Sequence, residues 1–504
     1  MIGRARSVVL TGLTGHVIEV EAHLASGLPA FTLVGLPDAS LGEARDRVRA
    51  AVASSGLTWP ARRLTVNLSP ASLPKSGSVT DLAIAVAALA AAQLISPGQA
   101  ARAVHLGELG LDGRVRPVRG VLPAVAAARA AGVSEVVVAR ADAEEAALVD
   151  GVQVRAVSTL AELLAWYGSD EARPIATDPV ARPVIEAHEG APMDLADVRG
   201  QDDARWALEV AAAGGHHLLM TGPPGAGKTM LAARLPGILP DLSRADAIAA
   251  TSVHSLAGTL DAGAGLLRRP PFEAPHHSAS AAAIVGGGSM LARPGAISRA
   301  HGGVLFLDEA PEFPARVLQT LRQPLETGEI VLHRAHGATR YPARFQLVLA
   351  ANPCPCGLFA GSGERCECSP LARRRYFARL SGPLLDRVDL QVHVLPVRRG
   401  LDDEGESSAA VAVRVAAARA RAAARLEPHG WTTNAQVGGA WLRRHTSQAA
   451  CRPVWRALDE GRVTARGADR ALRVAWTLAD LEGVAQPERE HVEQALMLRH
   501  GGVS

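Results

Sequence analysis

Apolar positions along this chain fall into three regimes. Up to residue 167, short apolar runs alternate with longer segments of helical period. Residues 8–10, 17–20, 31–34, 64–68 and 136–138 read as strands, and 39–54, 80–92, 121–131 and 159–166 as helices. From 193 to 400, helical segments at 203–213 and 230–235 are interrupted by wholly apolar runs at 218–220, 304–307 and 347–351, with a last strand over 389–395. Beyond 400 the period is helical throughout, over 407–426, 435–443, 448–461, 464–481 and 487–498. Residues 168–192, with Pro174, Pro179, Pro183 and Pro192 and no hydrophobic period, read as a linker. The pattern predicts an α/β chain in four parts: an α/β or α+β domain over 1–167, the linker 168–192, an α/β core over 193–400 and a helical domain over 401–504.

The run 218–220 leads into Gly222-Pro223-Pro224-Gly225-Ala226-Gly227-Lys228-Thr229, which fits G-x-x-x-x-G-K-[ST] between a strand and a helix. Glycines at this spacing let several backbone N–H groups converge on one phosphate beside a helix N-terminus. Lys228 would then reach the β- and γ-phosphates, and the Thr229 hydroxyl would hold Mg²⁺. The plainer reading is a Gly/Pro turn with a chance lysine. Against it, only Lys75 and Lys228 among 53 basic residues are lysines.

The run 304–307 ends in Asp308-Glu309, and 347–351 ends at Asn352. After a P-loop, the first pair suits a Mg²⁺ ligand (Asp308) and a group that polarises the attacking water (Glu309). Asn352 suits a side chain that holds that water in line, or simply caps the turn before Pro353.

Composition narrows the partners. A net charge of +3 and 3% aromatic residues announce neither a broadly basic surface nor a base-stacking platform. No apolar run is long enough to span a bilayer, and the first residues lack the pattern of a signal peptide, so a cytoplasmic protein without membrane contact is expected. Cys354, Cys356, Cys366 and Cys368 are spaced C-x-C-x₉-C-x-C, which suggests tetrahedral Zn²⁺ or four free thiols; Cys451 stands alone.

Taken together these residues resemble an AAA+ ATPase of the magnesium-chelatase-like branch, and within it the YifB/ComM-like proteins. The resemblance rests on 194–201, Gly-Gly-His-His at 214–217, 272–278, 294–303, the Asp308-Glu309 strand, 352–357 and 381–390. It implies ATP and Mg²⁺ as cofactors, a homo-oligomeric ring of six subunits, and a helical lid over 401–504. It also implies that Arg387 is an arginine finger reaching a neighbour's ATP, against a local ion pair with Asp386 or Asp389. Arg473 best matches the sensor-2 arginine, with Arg466 and Arg470 as rivals. The segments 73–82, 107–109 and 113–118 resemble the Lon-type protease domain, a ribosomal-protein-S5-like fold, but Val79 and Leu122 stand where that family has its serine and lysine. Ser76, Ser78 and Thr80 lie near but lack a base, so the fold is expected without the protease. In related rings the insert between 278 and 297 and a hairpin over 329–341 face a central pore. His333, Arg334, His336 and Arg340 would meet a DNA backbone there, or form an ordinary solvated hairpin. The implied activity is ATP-driven DNA remodelling of helicase or branch-migration type, in recombination or natural transformation. The alternative is a chelatase- or chaperone-like motor acting on a protein.

Overall fold

In the computed structural model the chain is described over residues 1–35, 42–73, 75, 77–173, 178–181, 193–288, 293–334, 337–359, 365–380, 382–396 and 405–500, without the side chains of Arg334 and His500. His336, Ser76, Ser381, most of the expected linker and the start of the helix expected at 39–54 lie outside the described residues.

The first domain contains β1 (Ile2–Thr11), β2 (Thr14–Ala25), β3 (Ala30–Val34), β4 (Arg63–Ser69), β5 (Val104–Leu106), a ribbon of β6 (Glu108–Leu109) and β7 (Val115–Arg116), β8 (Glu135–Ala139) and β9 (Gln153–Val157). Seven of these form one mixed sheet in the order β3-β4-β2-β1-β5-β8-β9, with β1 and β2 antiparallel and β1, β5, β8 and β9 parallel. The helix Asp81–Ala91 is apolar on every side because every side is buried. It lies so close to β1 that a Cβ on Gly3 would stand 2.2 Å from the Ala87 carbonyl oxygen. Strands β5 and β9 were not expected from the sequence. β5 is three residues long with a histidine at its centre, and β9 alternates exposed polar residues with half-buried ones, so neither has an apolar run.

The second domain adds β10 (Leu218–Thr221), β11 (Phe272–Glu273), a small ribbon of β12 (Gly286–Gly287) and β13 (Arg293–Pro294), β14 (Val304–Leu307), a hairpin of β15 (Glu329–Arg334) and β16 (Gly337–Pro342), β17 (Gln346–Ala351) and β18 (Leu390–His393). Five of them form a parallel sheet in the order β11-β14-β17-β10-β18. The three apolar runs read from the sequence are therefore its three central strands. Their carboxyl ends open on one crevice, where ligands of open parallel sheets bind. The insert between 278 and 297 contains a short helix, Ala281–Val285, running into the β12–β13 ribbon.

After β18 come the helices Ser408–Leu426, Gly439–His445, Gln448–Asp459, Ala465–Glu482 and Arg489–His500. They share one core with the P-loop sheet, joining Leu218, Met220 and Leu231 to Val415, Leu472 and Trp476. The first domain docks on the helix Arg244–Ala257: Ser255 Oγ donates to the Glu145 carboxylate, Arg244 pairs with Asp150, and Arg119 Nη1 donates to the Ala257 carbonyl at 3.3 Å. Among the described residues no helix is long and apolar enough to cross a membrane.

Burial holds three histidines neutral. His105, His217 and His301 are each pushed from 6.5 down to about 4, chiefly by desolvation. As pH falls from about 6.5 toward 4, the unfolded chain takes up protons that the folded one refuses, so stability present above pH 6.5 is lost, at most on the order of 3 kcal/mol per histidine. Thermal melts should show a falling Tm over this window. A Tm unchanged between pH 7 and 4.5 would contradict the buried neutral imidazoles.

Candidate functional site

The crevice is built from the ends of β10, β14 and β17. The chain leaves β10 so close to β18 that a Cβ on Gly222 would lie 2.1 Å from the Val394 carbonyl oxygen. It enters the helix Lys228–Ile238 through Gly227 at φ +94°, a conformation that disfavours a side chain. Inside the loop, Lys228 Nζ donates to the carbonyls of Gly222 at 2.6 Å and Pro223 at 3.0 Å, and to Asn352 Oδ1 at 3.1 Å. Burial lowers the Lys228 pKa, opposed by the carboxylates of Asp308 and Glu309.

Thr229 Oγ1 donates to Asp308 Oδ2 at 2.6 Å, joining the first helical turn after the loop to the end of β14. The donor set of Thr229 hydroxyl and Asp308 carboxylate is oxygen-only, as Mg²⁺ requires. Glu309 follows at φ +50°, with its N–H donating to Asp308 Oδ1 at 2.9 Å and its carboxylate exposed at the crevice. Lys228, Thr229, Asp308 and Asn352 thus stand in one connected cluster, with Glu309 beside it.

Two residues missed as site residues join them. Gln201, at φ +64°, donates from Nε2 to the Ala226 carbonyl at 3.1 Å and to the Leu395 carbonyl, tying the P-loop to the end of β18. His277 Nδ1 lies 3.3 Å from Glu309 Oε2 and rests edge-on against Phe313. Both sit in segments recognisable as motifs (194–201 and 272–278), but only the fold shows what their side chains touch.

The cysteine cluster closes the crevice from one side. The Sγ atoms of Cys354, Cys356, Cys366 and Cys368 lie within 4.8 Å of one another, with Cys354–Cys356 at 3.3 Å, Cys354–Cys366 at 3.6 Å and Cys356–Cys366 at 3.8 Å. Four thiolates on one tetrahedral zinc stand about 3.8 Å apart, so this set could hold a metal ion. It also packs on the glycine-rich loop after β10: a Cβ on Gly357 would lie 2.6 Å from Pro224 Cδ. Cys451 is remote, buried among the C-terminal helices.

The arginines are dispersed. Arg387 is nearly buried, and its ion pair is with Glu326, not with Asp386 or Asp389 as a local pairing had suggested. Asp386 and Asp389 are taken by Arg466 at 3.4 Å and by Arg470. Arg473 donates to the Val437 carbonyl at 2.7 Å. Among the described residues, none of the three sensor-2 candidates hydrogen-bonds to the P-loop. On the β15–β16 hairpin His333 and Arg340 are exposed, and Arg340 lies 3.6 Å from Glu329.

Comparison with known proteins matches residues 194–400 to magnesium chelatase, subunit ChlI, residues 20–142 to subunit ChlI of Mg-chelatase, and residues 405–499 to the C-terminal part of that subunit. The chain is 41% identical over 499 residues to the competence protein ComM of Haemophilus influenzae, covering 97% of this chain and 95% of that one. It is 40% identical over 496 residues to the YifB protein of Escherichia coli, with the same coverage. An uncharacterized Mycobacterium tuberculosis protein is 54% identical over 506 residues, 99% of both chains. A part of 159 residues is 30% identical to Lon protease 2 of Bacillus subtilis, 29% of this chain and 27% of that protease.

Because Gln201 ties the nucleotide loop to β18, Gln201→Ala should weaken binding of a fluorescent adenine nucleotide by about ten-fold, the loss expected of a missing charge-free anchor and a looser loop. The melting temperature should move little. Unchanged affinity would assign Gln201 to packing alone.

Proposed function

The chain belongs to the YifB/ComM-like branch of the magnesium-chelatase-like family, and from that premise we propose that it is a ring-forming ATPase that couples ATP hydrolysis to remodelling of DNA. The observation that carries the proposal is the convergence of Lys228, Thr229, Asp308 and Asn352 at the ends of three adjacent parallel strands.

The residues fit ATP and Mg²⁺. Lys228 is a nearly buried cation whose hydrogen bonds go to neutral oxygens, which a phosphate would replace with a stronger partner. Gly222 to Thr229 would hold the phosphates through the backbone N–H groups that Gly225, Ala226 and Gly227 retain and Pro223 and Pro224 lack. Thr229 and Asp308 would hold Mg²⁺, which when bound neutralises the charge between the β- and γ-phosphates. Glu309 takes a proton from the water that Asn352 orients, and His277 holds the Glu309 carboxylate until then. Arg387 would leave Glu326 to meet a neighbouring subunit's nucleotide, which makes turnover depend on assembly into a hexamer, as in related rings. In that assembly Arg473 is the residue offered as sensor 2, and the helices from Ser408 onward act as the lid.

DNA is proposed as the substrate because the Haemophilus relative is named a competence protein. The exposed His333 and Arg340, with Arg334 and His336, are the groups offered to phosphates; such contacts position nucleic acid without reading its sequence. Peptide hydrolysis is not proposed: Val79 and Leu122 carry no nucleophile or base. The four thiols are proposed to hold Zn²⁺, which would clip the loop after Asn352 and suits a reducing, cytoplasmic setting.

Glu309→Gln should keep nucleotide affinity and lose at least about a hundred-fold in turnover, since the phosphate and Mg²⁺ contacts survive while water activation does not. Wild-type turnover should rise with added single-stranded, duplex or branched DNA, and the rise should shrink with salt. Stimulation by no DNA at all would shift the reading to a motor acting on a protein partner.

Metal analysis of the purified chain should find one zinc per subunit, absent from Cys354→Ser/Cys356→Ser. A metal-free wild-type chain with four titratable thiols would refute the zinc assignment.

A further inference from the structure

A cavity of about 330 Å³ lies where the first domain meets the second, and no residue of the nucleotide site named above lines it. Its floor is apolar and buried: Val8 from β1, Leu106 from β5, and Val121 and Ala124 from the first turns of the helix Val121–Ala130. Leu256, at the end of the second domain's docking helix, closes it from above. An apolar hollow of this size with a few polar groups at its rim is the form of a small-ligand site.

The rim is chemically specific. Arg119 and Arg293 both line the cavity, one from each domain, and stand close enough to repel each other. Neither has a carboxylate partner among the described residues; Arg119 donates to the Ala257 carbonyl. Two like charges held together with no carboxylate paired to either favour an anion, and guanidinium groups match a carboxylate in geometry as well as charge. Across the rim stands Glu108, whose Oε2 accepts from Ser78 Oγ, leaving its other oxygen for a donor.

These groups ask for three things of one ligand: a carboxylate at the arginines, an aliphatic group in the hollow, and an N–H donor at Glu108. We propose that this cavity binds the free carboxyl-terminal residue of a peptide whose last side chain is aliphatic. The terminal carboxylate bridges Arg119 and Arg293, the side chain fills the space above Val121 and Ala124, and the last amide N–H donates to Glu108. No bond is made or broken, since Ser78 is committed to Glu108 and Val79 offers no nucleophile. A free aliphatic acid shares the carboxylate and the tail but not the N–H, so Glu108 favours the peptide.

The test is fluorescence polarisation of the full chain, without nucleotide or DNA, against a fluorescein-labelled peptide ending in two aliphatic residues. The free acid should bind at least about ten-fold more tightly than the same peptide as its C-terminal amide, the loss of one charge-assisted contact. Arg119→Gln, at an exposed position, should reduce binding by a similar factor, and Ala124→Leu should block it by filling the hollow. Both variants are checked by thermal melting and by nucleotide binding, so that failure here is separable from failure of the ATPase assignment. Equal binding of acid and amide, binding unaffected by Arg119→Gln, or competition by octanoate with no peptide binding up to millimolar concentration would each overturn the proposal.

Discussion

The crevice at the carboxyl ends of the central strands depends on one constraint: β17 pairs in parallel with β10 on one side and β14 on the other. That pairing carries Asn352 to the ε-amino group of Lys228, and brings Asp308 within hydrogen-bond reach of Thr229, which precedes it by 79 residues. β14 and β17 are buried across their full length and β10 up to the half-buried Thr221, so a register shift would move whole side-chain rows and is strongly resisted. The site is therefore as rigid as the sheet. What projects from it, Glu309 at a positive φ and the loop around Gly227, is held in backbone conformations that the sheet alone would not impose.

The same sheet is braced from below by a buried ionic cluster. Asp389, just before β18, accepts from the His217 N–H at 3.0 Å and pairs with Arg470 from the C-terminal helices. Burial pushes its carboxyl up, yet the Arg470 guanidinium and the adjacent histidines hold it well below the usual carboxylate range. A buried acid survives only with such partners. The pair consequently ties the helices after Ser408 to the strand beside the P-loop.

The first domain is engaged with this machinery through its turns as well as its helices. The β1–β2 turn reaches the β15–β16 hairpin: a Cβ on Gly12, at φ +67°, would lie 2.7 Å from the Arg340 carbonyl oxygen, and Leu13 packs into the second domain's core. The hairpin bearing Arg340 is thus supported by the domain in front of it. With Glu145, Asp150 and Arg119 on the helix Arg244–Ala257, this makes the first domain a scaffold for elements of the second rather than an appendage.

Much of this was legible in the amino-acid order. The apolar runs at 218–220, 304–307 and 347–351 are strands because a run buried on both faces needs no alternation, and the P-loop is legible because its chemistry depends on glycines and a lysine at fixed spacing. The helical tail was equally plain from its period. Tertiary structure alone decided the rest, because each remaining choice depends on what a distant segment presents. Strands β5 and β9 are stabilised by their neighbours and not by their own composition. Arg387 takes Glu326 because the helix Arg322–Thr327 comes beside it, while the nearer aspartates are claimed by Arg466 and Arg470 from the last helices. Gln201 and His277 become site residues only when β18 and β14 are set next to them, and four cysteines become a metal-sized cage only when their loop folds back on itself. Local sequence determined which groups could do chemistry; long-range packing determined which of them meet.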